Sequence, residues 1–424
     1  MNIAIITNTF TPHVGGVARS VEGFRKEYLD AGHNVLVIAP EFEGMPTQED
    51  NVIRVSAIQN FNASDFSVVL PLPKGINQAV EEFEPDIIHS QHPFLLGMTA
   101  VRLARILNVP LAFTHHTLYE QYTHYVPGDS PLLQNFVIEL ATHYANLSDQ
   151  VIAPSESIRD LVMERGVRVP VEVIPTGVDV EKFADGDGQR CRGSLNIPDT
   201  AWVVGHMGRL APEKNIRFLS RGVLEFIKSR EQCYFLVVGD GDESSRIVDI
   251  FSRAGLQDRL VLTGTLEKQD LSDALCAMDV FAFASKSETQ GMVLIEAMAA
   301  GLPVVAVDAS GVREVIEDRG NGRLLQEETV DSFSAALDWV NQLDGDERRT
   351  VIRRARDTAR QHSMHRCAQR ALACFQRLQP QNAADAQSEE KAWEQVLARI
   401  RSEWDIMKSL ASAGDGALSA NRPE

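Results

Sequence analysis

Two glutamates stand eight positions apart in SETQGMVLIEAMAAG, the stretch from Ser287 to Gly301. Glu288 precedes a glycine and Glu296 follows it. The apolar run DVFAFAS lies just before, so the order reads as a strand, a loop carrying Glu288, and a helix opening at Gly291. The free N–H groups at such a helix start suit a phosphate or a sugar hydroxyl. Glu296 then falls about one and a half turns into the helix. It is flanked by Val293, Leu294, Ile295, Ala297 and Met298, so an exposed position is the weaker reading. A carboxylate there accepts two hydrogen bonds from adjacent hydroxyls, as a ribose diol presents. The bland readings are a helix cap for Glu288 and a solvated helix position for Glu296.

Three further groups have chemistry to offer. Arg209 and Lys214 lie five residues apart in VVGHMGRLAPEKN, one at a strand end and one at a helix start. Two cations so placed can clamp a diphosphate, although two solvated cations are the common alternative. The strand PLAFTHH ends in His115 and His116, and Tyr119, Tyr122 and His124 follow within TLYEQYTHY. A histidine at that strand end can hydrogen-bond a substrate hydroxyl. No carboxylate or cysteine completes a metal-ligand spacing there. Gly15 and Gly16 precede a helix start after the first strand, where backbone N–H groups can meet a close-packed ligand. Taken alone, that pair is ordinary turn chemistry.

Strands and helices must alternate to place these groups together. NIAIIT, NVLVIAP, DIIHS, PLAFTHH and QVIAPS are continuous apolar runs, with helix-like stretches between them. The pattern restarts with WVVGHMG, CYFLVVGDG, RLVLTG, DVFAFAS, PVVAVD and GRLLQ. Continuous hydrophobicity is what parallel strands covered on both faces require. The expected architecture is therefore α/β, with two doubly wound Rossmann-like domains facing a cleft. The seam falls in IPTGVDVEKFADGDGQ, giving domains over 1–173 and 174–360, followed by C-terminal helices. Residues 361–380 read as a crossover helix. A tail over 381–424 reads as one amphipathic helix and a disordered end. In open parallel sheets ligands sit beyond the carboxyl ends of the strands, and every group above lies at such an end.

Composition narrows the class. The chain has 424 residues and a formal net charge of −18, which argues against a nucleic-acid partner held through its phosphates. Five cysteines without paired spacing read as reduced thiols. The opening MNIAIITNTF shows no secretory pattern, and no run reaches the roughly 18 apolar residues of a membrane span. A cytoplasmic protein is expected, with peripheral contact at the inner face of the membrane as a further expectation.

Together, these residues resemble the retaining family-4 glycosyltransferases, which have the GT-B fold. Glu288 and Glu296 match that family's paired-glutamate motif. Gly208–Asn215, the GDG at Gly239–Gly241, Thr263-Gly264, Pro175–Asp179, Gly15-Gly16 and AMAAGLPVVA are similar to its other motifs. The resemblance covers roughly residues 1–375. It implies a nucleotide-sugar donor on the second domain. Arg209 and Lys214 would hold the diphosphate, Glu296 the ribose and Glu288 the sugar hydroxyls. Backbone N–H groups at Gln290, Gly291 and Met292 would contact sugar and phosphate. His116 matches the family's active-site histidine, so His116 and Glu288 are the expected catalytic pair. Gly15 and Gly16 form the expected glycine loop at the donor. The resemblance also implies transfer with retention, with the leaving phosphate accepting the acceptor's proton and no metal cofactor. Asp240-Gly241-Asp242 looks like a metal-binding motif of a different fold, and here Asp240 is expected only to close a turn.

The acceptor run FTHHTLYEQYTHYVPG and SETQG are similar to bacterial diacylglycerol glycosyltransferases of the same family. That implies a UDP-hexose, UDP-glucose foremost, and a membrane lipid such as diacylglycerol, with Tyr119, Tyr122 and His124 at the acceptor. GDP-mannose and a soluble or polysaccharide acceptor form the alternative. Residues 1–150 are rich in Asp and Glu, whereas a membrane-facing surface is usually basic. The tail carries Trp393, Val396, Leu397, Ile400, Trp404 and Met407 at helical spacing. Docking on the chain's own body or on a second copy explains that stripe, and interfacial membrane contact is the sharper alternative. A nucleotide-sugar epimerase or a silent binding protein would share the fold. The complete set of Arg209, Lys214, Glu288 and Glu296 favours transfer.

Overall fold

The computed structural model describes residues 1–13, 15–58, 68–69, 75–121, 130–266 and 268–380. The first domain is organised by strands whose successive side chains enter opposite cores. In β1 (Asn2–Ile6), Ile3 and Ile5 join one apolar cluster while Ala4 and Ile6 join another. That two-sided burial is why these strands read as unbroken apolar runs. β2 (Asn34–Pro40) and β3 (Val52–Val55) follow, then a short antiparallel ribbon of β4 (Ala57–Ile58) and β5 (Val68–Val69). β6 (Ile87–Ser90), β7 (Leu111–Thr114), β8 (Gln150–Ala153) and β9 (Val171–Val173) complete a seven-stranded parallel sheet. Its order is β3-β2-β1-β6-β7-β8-β9, so the winding reverses between β1 and β6. Helices α1 (Gly16–Asp30), α2 (Gly75–Phe83), α3 (Leu96–Leu107), α4 (Pro131–Asn146) and α5 (Glu156–Glu164) supply the crossovers.

The second domain repeats the design. α6 (Val180–Ala184) and α7 (Gly188–Ser194) lead into β10 (Trp202–Met207). α8 (Ile216–Ile227), β11 (Cys233–Val238), α9 (Ser244–Arg253), β12 (Leu260–Leu262), α10 (Lys268–Cys276) and β13 (Val280–Phe283) follow. α11 (Met292–Ala299), β14 (Val304–Val307), β15 (Gly322–Leu325) and α12 (Val330–Asn341) close the sheet. Six parallel strands run β12-β11-β10-β13-β14-β15, and the winding reverses between β10 and β13. The two expected doubly wound domains are present.

The last helices divide between the domains. α13 (Gly345–Gln361) packs on α11 in the second domain. α14 (Met364–Phe375) crosses back and lies on α1. Its Cys367, Ala368, Ala371, Leu372, Cys374 and Phe375 are buried in the first domain's core. Phe375 meets Tyr28 and His89 edge-on, at centroid distances of 6.1 and 5.1 Å. The crossing itself occurs between His362 and Met364.

The chain passes between the domains twice, and the two passages touch. Val178 N–H donates to the His362 carbonyl and Met364 N–H donates to the Val178 carbonyl, each at 3.0 Å. Gly177 permits this contact: a Cβ there would stand 2.1 Å from Met364 Cα. Backbone, unlike a flexible side chain, cannot move aside cheaply. Gly177→Ala is expected to cost about 1–3 kcal/mol, read as a lower urea midpoint. An unchanged midpoint would mean that the double crossing separates without penalty.

Candidate functional site

The two winding reversals place the chemistry. In the second domain, the loop after β10 carries Arg209 and Lys214 and the loop after β13 carries Glu288. These two strands flank the switch point, where the loops diverge and leave a crevice. In the first domain, β1 leads to Gly15-Gly16 and β6 leads to Gln91 and His92. β7, next to β6, leads to His115 and His116.

The loop after β10 is held by close backbone approach. Gly208 and Gly239 have φ of 152° and 132°, and a Cβ on Gly239 would lie 2.0 Å from the Gly208 carbonyl oxygen. Asp240 serves the turn, accepting from Gly241 N–H at 2.7 Å and from the Ser244 hydroxyl at 3.0 Å. Among the described residues, no cluster of three or more His, Cys, Asp or Glu is arranged to hold a metal ion.

Lys214 Nζ donates to Glu288 Oε1 at 2.6 Å, with both side chains largely buried. Arg209 pairs with Glu213 in its own loop. An ammonium has three donors and a guanidinium five, so neither pairing prevents a phosphate oxygen from binding as well. His206 lies deeper in the same domain. Its Nδ1 stands 3.0 Å from the Ala282 carbonyl, and its buried Nε2 has no partner. Burial lowers its pKa to about 4, so the ring is neutral at pH 7.

Gly291 caps α11 in the left-handed region, at φ 73°, with no side-chain cap on the helix. The helix start at Gly291 is as expected, and the N–H groups of its first turn point out of the helix end. Glu296 is 3% exposed, as its apolar neighbours predict. Its Oε1 accepts from Arg19 Nη1 of α1 at 3.1 Å, while its Oε2 is buried without a partner. Burial raises its pKa, and Arg19 and Lys182 oppose that rise. A buried carboxylate oxygen with no partner fits a ligand hydroxyl donor.

The two histidines separate cleanly. His115 is core, its ring packed edge-on against Phe113 and Tyr119. His116 is half-buried, with Nε2 2.7 Å from Gln91 Oε1. An amide oxygen only accepts, so Nε2 carries the proton and donates. Burial, with His92, His89 and His115 nearby, holds the His116 pKa well below the usual histidine range. The ring is then neutral, and Nδ1 is left as an acceptor for a substrate hydroxyl.

The Gln290 side chain is occupied within the protein, which leaves the expected contact to its backbone N–H. The side chain accepts from Thr176 N–H at 2.7 Å and donates to the Thr176 carbonyl at 2.6 Å. The Tyr119 ring packs on Phe94 and His115, and its hydroxyl is buried without a partner. Burial places that hydroxyl's pKa above the usual tyrosine range. Tyr122 and His124 lie outside the described residues, as does the tail over 381–424. Met292 is half-buried at the start of α11. Gly15 has extended backbone at φ −168° and sets the N-terminus of α1, which has no side-chain cap. A Cβ on Gly16 would meet nothing within 4 Å, so the space above that helix end is open.

Contacts between the domains converge on the Glu288 loop. The Thr289 hydroxyl donates to the His116 carbonyl at 2.9 Å, and the Ser155 hydroxyl donates to the Thr289 carbonyl at 2.7 Å. Glu314 accepts from Glu156 N–H and Ser157 N–H, at 2.6 and 2.8 Å, across the α5 N-terminus. Sequence reasoning missed Gln91, Arg19, Ser155 and Glu314. Gln91 alone had a signal, because it sits just past the carboxyl end of β6 beside the winding reversal.

Gln91→Leu should leave His116 without its orienting acceptor and lower turnover about 10- to 100-fold. Wild-type turnover in that variant would remove Gln91 from the site. The buried histidines predict an acid sensitivity. Burial lowers His89 and His92 to about 3, and His115 and His206 to about 4, from 6.5. Below the unfolded value of 6.5 the unfolded chain binds more protons, so stability is complete above that pH and declines as pH falls towards 4. Calorimetric melting at pH 7.5, 6.5, 5.5 and about 4.5 should show this decline beginning near 6.5. A constant melting temperature down to pH 5 would contradict it.

Comparison with known proteins agrees with this geometry. Residues 14–182 match the Glycosyltransferase Family 4 model and residues 188–358 match the model for Glycosyl transferases group 1. The alpha-monoglucosyldiacylglycerol synthase of Streptococcus pneumoniae is 30% identical over 76% of this chain and 75% of its own. A GDP-mannose-dependent alpha-mannosyltransferase of Mycobacterium tuberculosis is 31% identical over 77% of this chain and 84% of its own. In fold, the chain is similar to Anabaena Alr3699/HepE, solved in complex with UDP. The TM-score is 0.71 at 22% identity, covering 89% of this chain and 100% of that one. With both halves matched and its chemistry at both winding reversals, the chain belongs to glycosyltransferase family 4 and is a glycosyltransferase of the GT-B fold.

Proposed function

We propose that the chain transfers a hexose from a nucleotide sugar to a hydroxyl of a membrane lipid, diacylglycerol foremost, with retention at the anomeric carbon. The observation that carries the donor reading is Glu296: a buried carboxylate oxygen without a partner, on the helix that follows the loop of the Lys214–Glu288 pair. On this reading the ribose diol donates to Glu296, and the diphosphate takes Lys214, Arg209 and the N-terminus of α11. Glu288 accepts from sugar hydroxyls, and His116 Nδ1 accepts from a hydroxyl on the other side of the cleft.

The reaction follows from charge placement. The bond from the anomeric carbon to the diphosphate oxygen lengthens, and negative charge gathers on the leaving phosphate. Fixed cations and helix-end N–H groups stabilise that charge without rearranging. The acceptor oxygen then bonds to the same face of the anomeric carbon and gives its proton to the leaving phosphate. Lys214 and Arg209 supply the charge stabilisation, so no metal cofactor is required on this reading.

UDP-glucose and a lipid acceptor are supported by the likeness to two alpha-monoglucosyldiacylglycerol synthases, from Streptococcus pneumoniae and Acholeplasma laidlawii. The second reading is a GDP-mannose donor with a different acceptor, which several mannosyltransferase relatives favour. No helix among the described residues is long and apolar enough to cross a membrane.

The deciding experiment measures nucleotide release from UDP-, GDP- and ADP-sugars, with and without diacylglycerol vesicles. Release from a UDP-hexose only with vesicles is the expected result. Release unaffected by vesicles but raised by soluble sugars would overturn the lipid acceptor. With the preferred donor, Lys214→Ala should lower turnover about 100-fold or more.

A further inference from the structure

Glu296 and Arg19 belong to different domains, yet they form an ion pair that is buried on the glutamate side. Glu296 lies on the second turn of α11, and Arg19 lies one turn into α1, just past Gly15-Gly16. The Arg19 side chain is 47% exposed and that of Glu296 is 3% exposed, so the arginine reaches from the cleft surface to an interior carboxylate. Only Oε1 is taken, at 3.1 Å. Oε2 is enclosed and has no partner. An interior carboxylate satisfied on one side only is costly unless something else completes it.

The surroundings set its charge. Arg19 of α1 and Lys182 of α6 are the cations that act on it. From α13, Arg356 lies at the far end of α11, against Gly301. Burial pushes the carboxyl towards protonation, and the two nearer cations oppose this. An ionised Oε2 offers two lone pairs to a vicinal diol. A protonated carboxyl turns one of its oxygens into a donor and fits a diol less well.

We propose that Arg19 is a positioning residue for the donor nucleoside. By holding Oε1, it keeps Glu296 ionised and turned so that Oε2 faces the ribose diol, and it makes nucleotide affinity depend on the first domain lying against the second. This rests on the donor reading above. Arg19 itself touches neither the sugar nor the reacting carbon. It acts through Glu296 and brings the acceptor-side domain into donor recognition.

The test is calorimetric titration of UDP and of GDP into the full chain and into Arg19→Gln, Arg19→Lys and Glu296→Gln, between pH 5.5 and about 8.5. Arg19→Gln should weaken nucleotide binding about 10- to 100-fold, and the deficit should grow as pH falls, because Glu296 then gains a proton more readily. Arg19→Lys keeps the charge and should restore the wild-type pH profile with part of the affinity. In Glu296→Gln the deficit should not vary with pH, and adding Arg19→Gln should weaken binding no further. Melting temperatures of all variants check that they fold. The inference is overturned if Arg19→Gln binds nucleotide like wild type at every pH. It is also overturned if its deficit is independent of pH and adds fully to that of Glu296→Gln, since the arginine would then only hold the domains together. If the wild-type chain binds neither nucleotide, the donor reading itself falls and this inference falls with it.

Discussion

Thr176 and Gln290 exchange two hydrogen bonds in the buried space between the domains, and the rest of the site is referenced to them. The Gln290 amide holds both the N–H and the carbonyl of one residue in the linker. That fixes the loop before α11 relative to the linker, and through the linker relative to the first sheet. One residue away, Thr289 reaches the His116 carbonyl. Two residues away, Glu288 meets Lys214. Were the amide lost, a buried backbone donor and acceptor would be left unmatched, which is costlier than the bonds themselves are stabilising. The glycine at 291 and the adjoining Gly311, whose Cβ would come 2.7 Å from Gln290 N, keep the loop close enough for that exchange.

The groups of the candidate site are thus arranged in two sets with a common support. Lys214 and Glu288 neutralise each other on the second domain, while His116 stands neutral on the first, supported by Gln91. Each set sits where a sheet reverses its winding, so the loops part and leave room for a ligand without any special cavity-forming sequence. Burial supplies the electrostatics. It keeps His115, His116 and His206 uncharged near the cleft and pushes Glu296 towards protonation, against which Arg19 acts. Charge in the cleft therefore resides on a few paired groups.

Much of this was legible in the sequence because it is local. Unbroken apolar runs marked the central strands, Gly291 marked the start of α11, and the neighbours of Glu296 predicted its burial. The edge strands β3 and β9 were not read, since Arg54 and Glu172 interrupt their short apolar patterns. Contacts between distant loops were not legible either. Arg19 and Glu296 are separated by most of the chain, as are Ser155 and Thr289, and no spacing rule links them. The use of the Gln290 side chain on the linker was not legible either, because the sequence reading concerned only its backbone N–H. Nor was the packing of Tyr119 on Phe94 and His115, because aromatic enrichment near a strand end fits core packing as well as recognition.

The return of α14 to the first domain bears on how the molecule is made. Synthesis delivers β1 through β9 before the second domain, but the core that α1 shares with their sheet stays partly uncovered until Met364–Phe375 emerges and lands on α1. The whole second domain is translated in between. Of the two domains, the one begun earlier is therefore finished later, and the nascent chain must keep part of a hydrophobic surface open until α14 leaves the ribosome.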